Sequence, residues 1–221
     1  MTLRALTLGI CAVAATALSG CLGGILPDPQ PAPSVYRLVV PELAGEKATG
    51  AYIVRVDTPS SPRTFNTRDV LVVTQGGNLS SAGGAQWSDT IPQLLQDATL
   101  TTLGKSQRFV TIIPVSGARA DIRIHLDIRD FSAIYDQGDL SPPLARTHVY
   151  ATVADAASRN FIGSYDARGE ARASENRVSS IVNAQSAATR NALDDVVTWM
   201  DSLTLEPTVN ATTGRPGERS P

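Results

Sequence analysis

From Asp121 to Arg129 the chain alternates without a break. Ile122, Ile124, Leu126 and Ile128 interleave with Asp121, Arg123, His125, Asp127 and Arg129. Residues two apart in a strand share a face, so this segment predicts a strand with one buried and one wetted side. Weaker forms of the same signal predict strands over Val35 to Val40, Ala51 to Val56, Asp69 to Thr74, and Phe109 to Val115, the last interrupted by Pro114. Leu144 to Val153 and Phe161 to Glu170 predict two longer strands. The turn signals over Asp155 to Asn160 join them as an antiparallel hairpin. Gln75 to Gly84 holds four glycines and predicts a loop, or a weak strand with turns.

Two segments change to helical spacing. In the first, Ile91, Leu94, Leu95, Ala98 and Thr102 fall on one face. Ser88 is the expected N-cap, and Asp89 lies where the helix dipole favours negative charge. Pro92 falls in the first turn, where a missing amide hydrogen is tolerated. Gly104 is the expected stop just past the last turn. The second helix is expected from about Val178 to Leu203. Its apolar stripe is Ile181, Ala184, Ala188, Ala192, Val196, Trp199, Met200 and Leu203. Trp199 and Met200 are read as core packing. The predicted fold class is α+β: an antiparallel-rich, mixed sheet with two helices packed on one face, in a single domain.

The ends of the chain differ from this body. Arg4 is followed by a short apolar run from Ala5 to Leu18. A bilayer span takes about 20 apolar residues, so the run reads as a secretory signal over residues 1–20. Leu18-Ser19-Gly20-Cys21 has the form of a lipobox. The chemistry requires a thiol at Cys21, which carries the S-diacylglycerol and N-acyl groups, and small residues before it for peptidase access. Residues 21–34 hold four prolines within seven positions and are expected to form a stiff tether. The domain proper is expected over residues 35–203, and residues 204–221 as a disordered tail. Leu22 after the cysteine, where aspartate resembles an inner-membrane retention signal, favours the outer membrane, facing the periplasm.

Composition narrows the function classes. The chain has two cysteines. Cys11 leaves with the signal and Cys21 is used by the lipid, so no disulfide, zinc-thiolate site or cysteine nucleophile is expected. Loss of Arg4 leaves one basic residue fewer than the 19 of the whole chain, against 21 acidic ones. That balance, with no basic run, argues against nucleic acid as a partner. No G-x-S-x-G elbow, H-E-x-x-H helix or phosphate loop occurs. No catalytic, metal or cofactor site is therefore expected, and Cys21 is the one residue expected to be modified. The remaining chemistry is His125-Leu126-Asp127 on one strand, with His148 on a neighbouring one. It could seed a metal or hydrolytic site, against which stands ordinary ion pairing on a solvated sheet face. Ile25-Leu26 and Val39-Val40 could line a lipid-contacting edge.

The order of elements resembles the ABC-type transport auxiliary lipoproteins, the group that includes the PqiC-like lipoproteins. The resemblance is carried by the lipobox, the Tyr36-Arg37-Leu38 strand, the Arg55-Val56 strand and Asp69-Val70-Leu71-Val72-Val73. It continues through Trp87 to Gln96, where a tryptophan is followed by a proline and paired leucines. Gly104 to Phe109 and an alanine-rich last helix ending in Trp199 complete it. The glycine-rich stretch from Gly76 to Gly84 departs from the tyrosine-rich one of relatives. The resemblance implies a non-catalytic accessory of an ABC permease and ATPase with an MCE-family substrate-binding protein. Such systems move lipids between inner and outer membranes. Membrane attachment would be through the lipid, and a homo-oligomer is compatible with the family. Two other readings stand beside it: an envelope-assembly or structural lipoprotein, and a lipid-anchored hydrolase using His125, Asp127 and His148.

Overall fold

A computed structural model describes residues 32–40 and 52–205. The expectations for the signal, Cys21, most of the tether, Ala51 and the tail beyond Leu205 fall outside these residues. Eight strands form one mixed sheet: β1 (Ser34–Tyr36), β2 (Tyr52–Val56), β3 (Asp69–Val73), β4 (Leu79–Trp87), β5 (Phe109–Ile112), β6 (Ile122–Ile134), β7 (Leu144–Asp155) and β8 (Phe161–Arg172). Two helices follow the predicted places, α1 (Ile91–Leu103) and α2 (Val178–Ser202).

The alternating segment is the spine. β6 pairs antiparallel with β7 along its whole length, and β7 pairs antiparallel with β8. On its other edge β6 receives two strands end to end, both parallel to it. Val54 to Val56 of β2 lie against Ile122 to Ile124, and Val72–Val73 of β3 against Ala133–Ile134. β5 extends the sheet beyond β2, and β4 and β1 extend it beyond β3. The longest ladders are antiparallel, while β1 with β4, β2 with β5, and β2 and β3 with β6 run parallel.

The period-two pattern places Ile122, Ile124, Leu126 and Ile128 inside, together with Val54, Val56, Val149, Ala151 and Val153. Both helices cover this face. α2 lies across β7 and β8, and α1 packs against β2, β5 and α2. Ile181, Ala184, Ala188, Ala192, Val196 and Met200 are buried as the stripe predicts, and Leu193 joins them. Trp199 is half-buried and stacks on Tyr165, with ring centroids 5.5 Å apart. A bulge between Ile128 and Asp130 bends β6. Beyond it Phe131 meets Trp87 edge to face at 5.9 Å.

Several local expectations are corrected. The first strand is three residues long, Ser34–Tyr36, because only Ala85 to Trp87 of β4 are available to pair with it. Ser88 is not the N-cap: its amide donates to the Tyr36 carbonyl at 2.7 Å, which keeps it in the strand pairing. Thr90 holds the cap position without a side-chain bond, and the Ile91 amide is taken by the Thr67 carbonyl. Gly104 ends α1 in a right-handed conformation, φ −64°, so the helix stop does not use the left-handed freedom of glycine. A Cβ there would stand 3.2 Å from the Leu100 carbonyl oxygen. The β5 strand stops at Ile112, since Pro114 opens a short 3-10 turn over Pro114–Ser116. Residues 79–87 form a full strand, and the last two strands run two residues further than predicted, to Asp155 and Arg172. Packing also continues past α2: Leu205 is buried and its carbonyl accepts the Tyr52 hydroxyl at 2.6 Å.

Candidate functional site

The face of β6 turned away from the helices carries Arg123, His125, Asp127 and Arg129, as alternation requires. β7 adds Arg146 and His148, and β8 adds Asp166, Arg168 and Glu170. A residue that sequence reasoning missed, Ser60, joins them. It follows β2 and is pinned along β6 by two backbone bonds: its amide donates to the Leu126 carbonyl and its own carbonyl accepts from Ile128. Its hydroxyl lies 3.0 Å from His125 Nε2 and donates to Asp127 Oδ1 at 3.2 Å.

The order of these groups decides their chemistry. A serine nucleophile needs an imidazole base on its hydroxyl and a carboxylate on the far side of the imidazole. Here serine sits between the other two. Its proton points to Asp127, so His125 faces the oxygen lone pairs and acts as donor. Asp127 in turn pairs with Arg129 at 2.6 Å. His148 lies opposite Asp130 on β6, five positions along the strand from His125. At about 3.3 Å per residue the two imidazoles are roughly 15 Å apart. His148 Nε2 meets both Asp166 oxygens at 3.0 Å. The structure therefore does not bring His125, Asp127 and His148 together, and no metal-holding cluster of His, Cys, Asp or Glu occurs among the described residues.

The face is a lattice of paired charges. Asp57 accepts from Arg55 at 3.1 Å and Arg123 at 2.9 Å, and Arg146 pairs with Glu170 at 2.8 Å. The Arg129 guanidinium lies 5.9 Å from the Tyr150 ring centroid. Hydrogen bonding from His148, and then Arg168, holds the Asp166 carboxyl below the usual carboxylate range. Asp130, at the bulge, is pushed up by burial, against the opposing hydrogen bond from Ser132. Exposed pairs of this kind contribute little each, about 0–1 kcal/mol. Their effect is to leave few charges free for a small ligand.

A cleft of about 480 Å³ opens on the other side, between residues 37–40 and α1. Leu38, Val40, Leu94 and Ala98 give it an apolar floor, with Arg37 on one wall and Asp89 and Asp97 on the other. Burial, and the nearby Asp89 charge, raise the Asp97 carboxyl. Val39, which follows Arg37 and Leu38 over the helices, donates its amide to Ser186 Oγ at 3.2 Å and leaves its side chain exposed. Thus Val40 lines an amphipathic cleft and Val39 does not. No helix of the described residues is long and apolar enough to cross a membrane.

The structure defines an α+β domain with one charge-paired sheet face and an amphipathic cleft beside its first strand. The sequence pattern of the ABC-type transport auxiliary lipoprotein component matches residues 36–197. The chain belongs to that family. Its fold is shared by a crystal structure of a Xanthomonas campestris protein: TM-score 0.65, 19% identity, 76% of this chain and 94% of the other covered. A second crystal structure, of an uncharacterized protein, gives a TM-score of 0.61 at 12% identity, over 76% of this chain and 99% of the other. Among curated proteins none matches the chain in sequence.

Proposed function

We propose that this chain works as a non-catalytic accessory of an ABC and MCE-type lipid transport system, tethered by a lipidated Cys21 to the outer membrane and facing the periplasm. The observation that carries the reading is the family match, which spans nearly the whole described domain. The sequence before the domain supports it. Leu18-Ser19-Gly20-Cys21 supplies the acceptor thiol, and Pro27 to Pro33 supplies a spacer. Two or more acyl chains hold a protein firmly to a bilayer, at roughly 0.8 kcal/mol for each buried methylene. The paired sheet face also supports it, since His125 is engaged as a donor to Ser60 and His148 is engaged by Asp166.

In this role the domain binds proteins and leaves ATP hydrolysis to the ATPase and lipid carriage to the MCE protein. The test is affinity isolation of the full chain from solubilised envelopes. The MCE protein and the permease are expected among the retained proteins, and are expected to be lost with a Cys21→Ala variant that is no longer anchored. Retention of outer-membrane assembly proteins in their place would overturn the proposal. Incorporation of labelled palmitate reports the anchor separately.

A further inference from the structure

We propose that the loop joining β6 to β7 is a membrane-contacting tip, with Leu140 entering the bilayer that holds the lipid anchor. This rests on lipid attachment at Cys21. Leu140 is 93% exposed, the most exposed large apolar side chain of the described residues. A leucine held in water is ordinarily on a loop that can fold it back. This loop cannot, because it is fastened on several sides. The Asp139 carboxylate accepts from the Gln75 amide at 2.9 Å, and its carbonyl accepts from Asn176 Nδ2 at 3.1 Å. Arg172 grips Asp136 with two bonds, at 2.7 and 2.9 Å, and also donates to the Pro142 carbonyl at 3.0 Å. Ser141 Oγ closes the turn onto the Gln137 carbonyl at 2.9 Å. The tip is ordered before it binds anything, so burying it sacrifices little chain entropy. Leu79, 41% exposed, opens β4 at the same end of the sheet.

The direction of β1 selects a bilayer as the occupant. β1 runs parallel to β4, with Ser34 beside Ala85. β4 begins at Leu79 beside Val73, and Val73 lies beside Ile134 at the end of β6. The chain therefore enters the sheet from the end that carries Leu140. Measured along β3, because β4 bulges between Ser81 and Gln86, Ser34 stands about three strand positions from that end, roughly 10 Å at about 3.4 Å each. The thirteen residues from Cys21 to Pro33 reach at most about 45 Å. This length clears the end of the sheet and lets it stand against the membrane. The opposite end, with the Asp155–Asn160 turn and Phe161, lies a full β6 length further away and is left to partners. The acids of the tip are matched by Arg172 and by backbone donors, which limits repulsion from anionic headgroups.

The test uses the full lipidated chain in vesicles of phosphatidylethanolamine and phosphatidylglycerol containing phosphatidylcholine brominated on its acyl chains. Leu140→Trp adds a reporter at the tip, and Phe161→Trp adds one at the other end, where the native side chain is 68% exposed. The emission added by Leu140→Trp is expected to lose most of its intensity to the bromines, while that added by Phe161→Trp is expected to keep it. Emission from Leu140→Trp that is not quenched overturns the proposal, as does equal quenching at both positions. The intact mass of the same preparation reports the acyl groups. If they are absent the anchoring reading itself fails, which is distinct from a lipidated protein whose tip stays in water.

Discussion

Gly169 of β8 lies directly beneath the backbone of Ala188 in α2. A Cβ built on Gly169 would overlap the Ala188 carbonyl and stand 2.6 Å from the Ala192 amide nitrogen. Both are backbone atoms of a helix whose own hydrogen bonds hold them, so neither can yield. The close approach is possible because Ala184, Ala188 and Ala192 give α2 a smooth face. Gly169→Ala is therefore expected to push the helix off the sheet and destabilise the fold by about 1–3 kcal/mol or more, the range for overpacked cores. Urea unfolding followed by circular dichroism measures it, as a lower midpoint at unchanged slope. Gly163→Ala should cost less, because its Cβ would meet the half-buried Trp199 ring, at 3.1 Å, which has room to tilt.

What the sequence disclosed, and what it withheld, follows the range of the forces involved. β6 was legible because its burial is set residue by residue, and Ile122, Ile124, Leu126 and Ile128 obey the period. The stripe of α2 was legible for the same reason. β4 was not, since Ser80, Ser81, Gly83 and Gly84 carry almost no apolar signal. Its strand exists because β3 and β1 supply hydrogen bonds on either side. Ser88 looked like a cap by type, yet the Tyr36 carbonyl, 52 positions away in the chain, claimed its amide. Likewise His125 and Asp127 were visible as a pair, while Ser60 between them was not. No local pattern says that residue 60 will run alongside residue 127.

Arg108 is another such long-range feature. No basic residue occupies the last turn of α2. Instead Arg108, just before β5, donates to the carbonyls of Asp201 at 2.6 Å and Leu203 at 2.7 Å, and lies 5.3 Å from the Tyr52 ring centroid. It satisfies carbonyls that the helix cannot, and places a cation at the negative end of its dipole. Arg108→Ala is expected to lower stability by about 1.5–3 kcal/mol, the range for hydrogen bonds to a charged group. Hydrogen exchange should show the loss concentrated in residues 199–205. Uniform deprotection of the whole domain would refute the assignment.

His125 donates to a hydroxyl that already spends its proton on Asp127. Its removal deletes one exposed hydrogen bond. His125→Ala is expected to change stability by less than about 1 kcal/mol, in line with exposed polar pairs. It is also expected to leave cellular function intact. Complementation of a deletion strain under envelope stress checks this. Loss of function from a protein that still folds and sorts would revive the hydrolase reading.

Asp130 gives the fold a pH dependence of definite sign. Burial at the β6 bulge raises its carboxyl above the ordinary value of 3.8, against the hydrogen bond from Ser132. The native state thus holds this proton more tightly than the unfolded chain does. The associated stability is complete below 3.8 and is lost as pH rises through the raised value. Asn at this position keeps an acceptor for Ser132 and carries no charge to desolvate. Arg146 loses a partner 3.9 Å away but keeps Glu170 at 2.8 Å. Asp130→Asn is therefore expected to raise Tm at pH 7, with the gain shrinking as the pH is lowered toward 4. Thermal melts of the two proteins across that interval decide it. A variant less stable than the parent at pH 7 would mean that attraction between Asp130 and the cations beside it outweighs the cost of burying its charge.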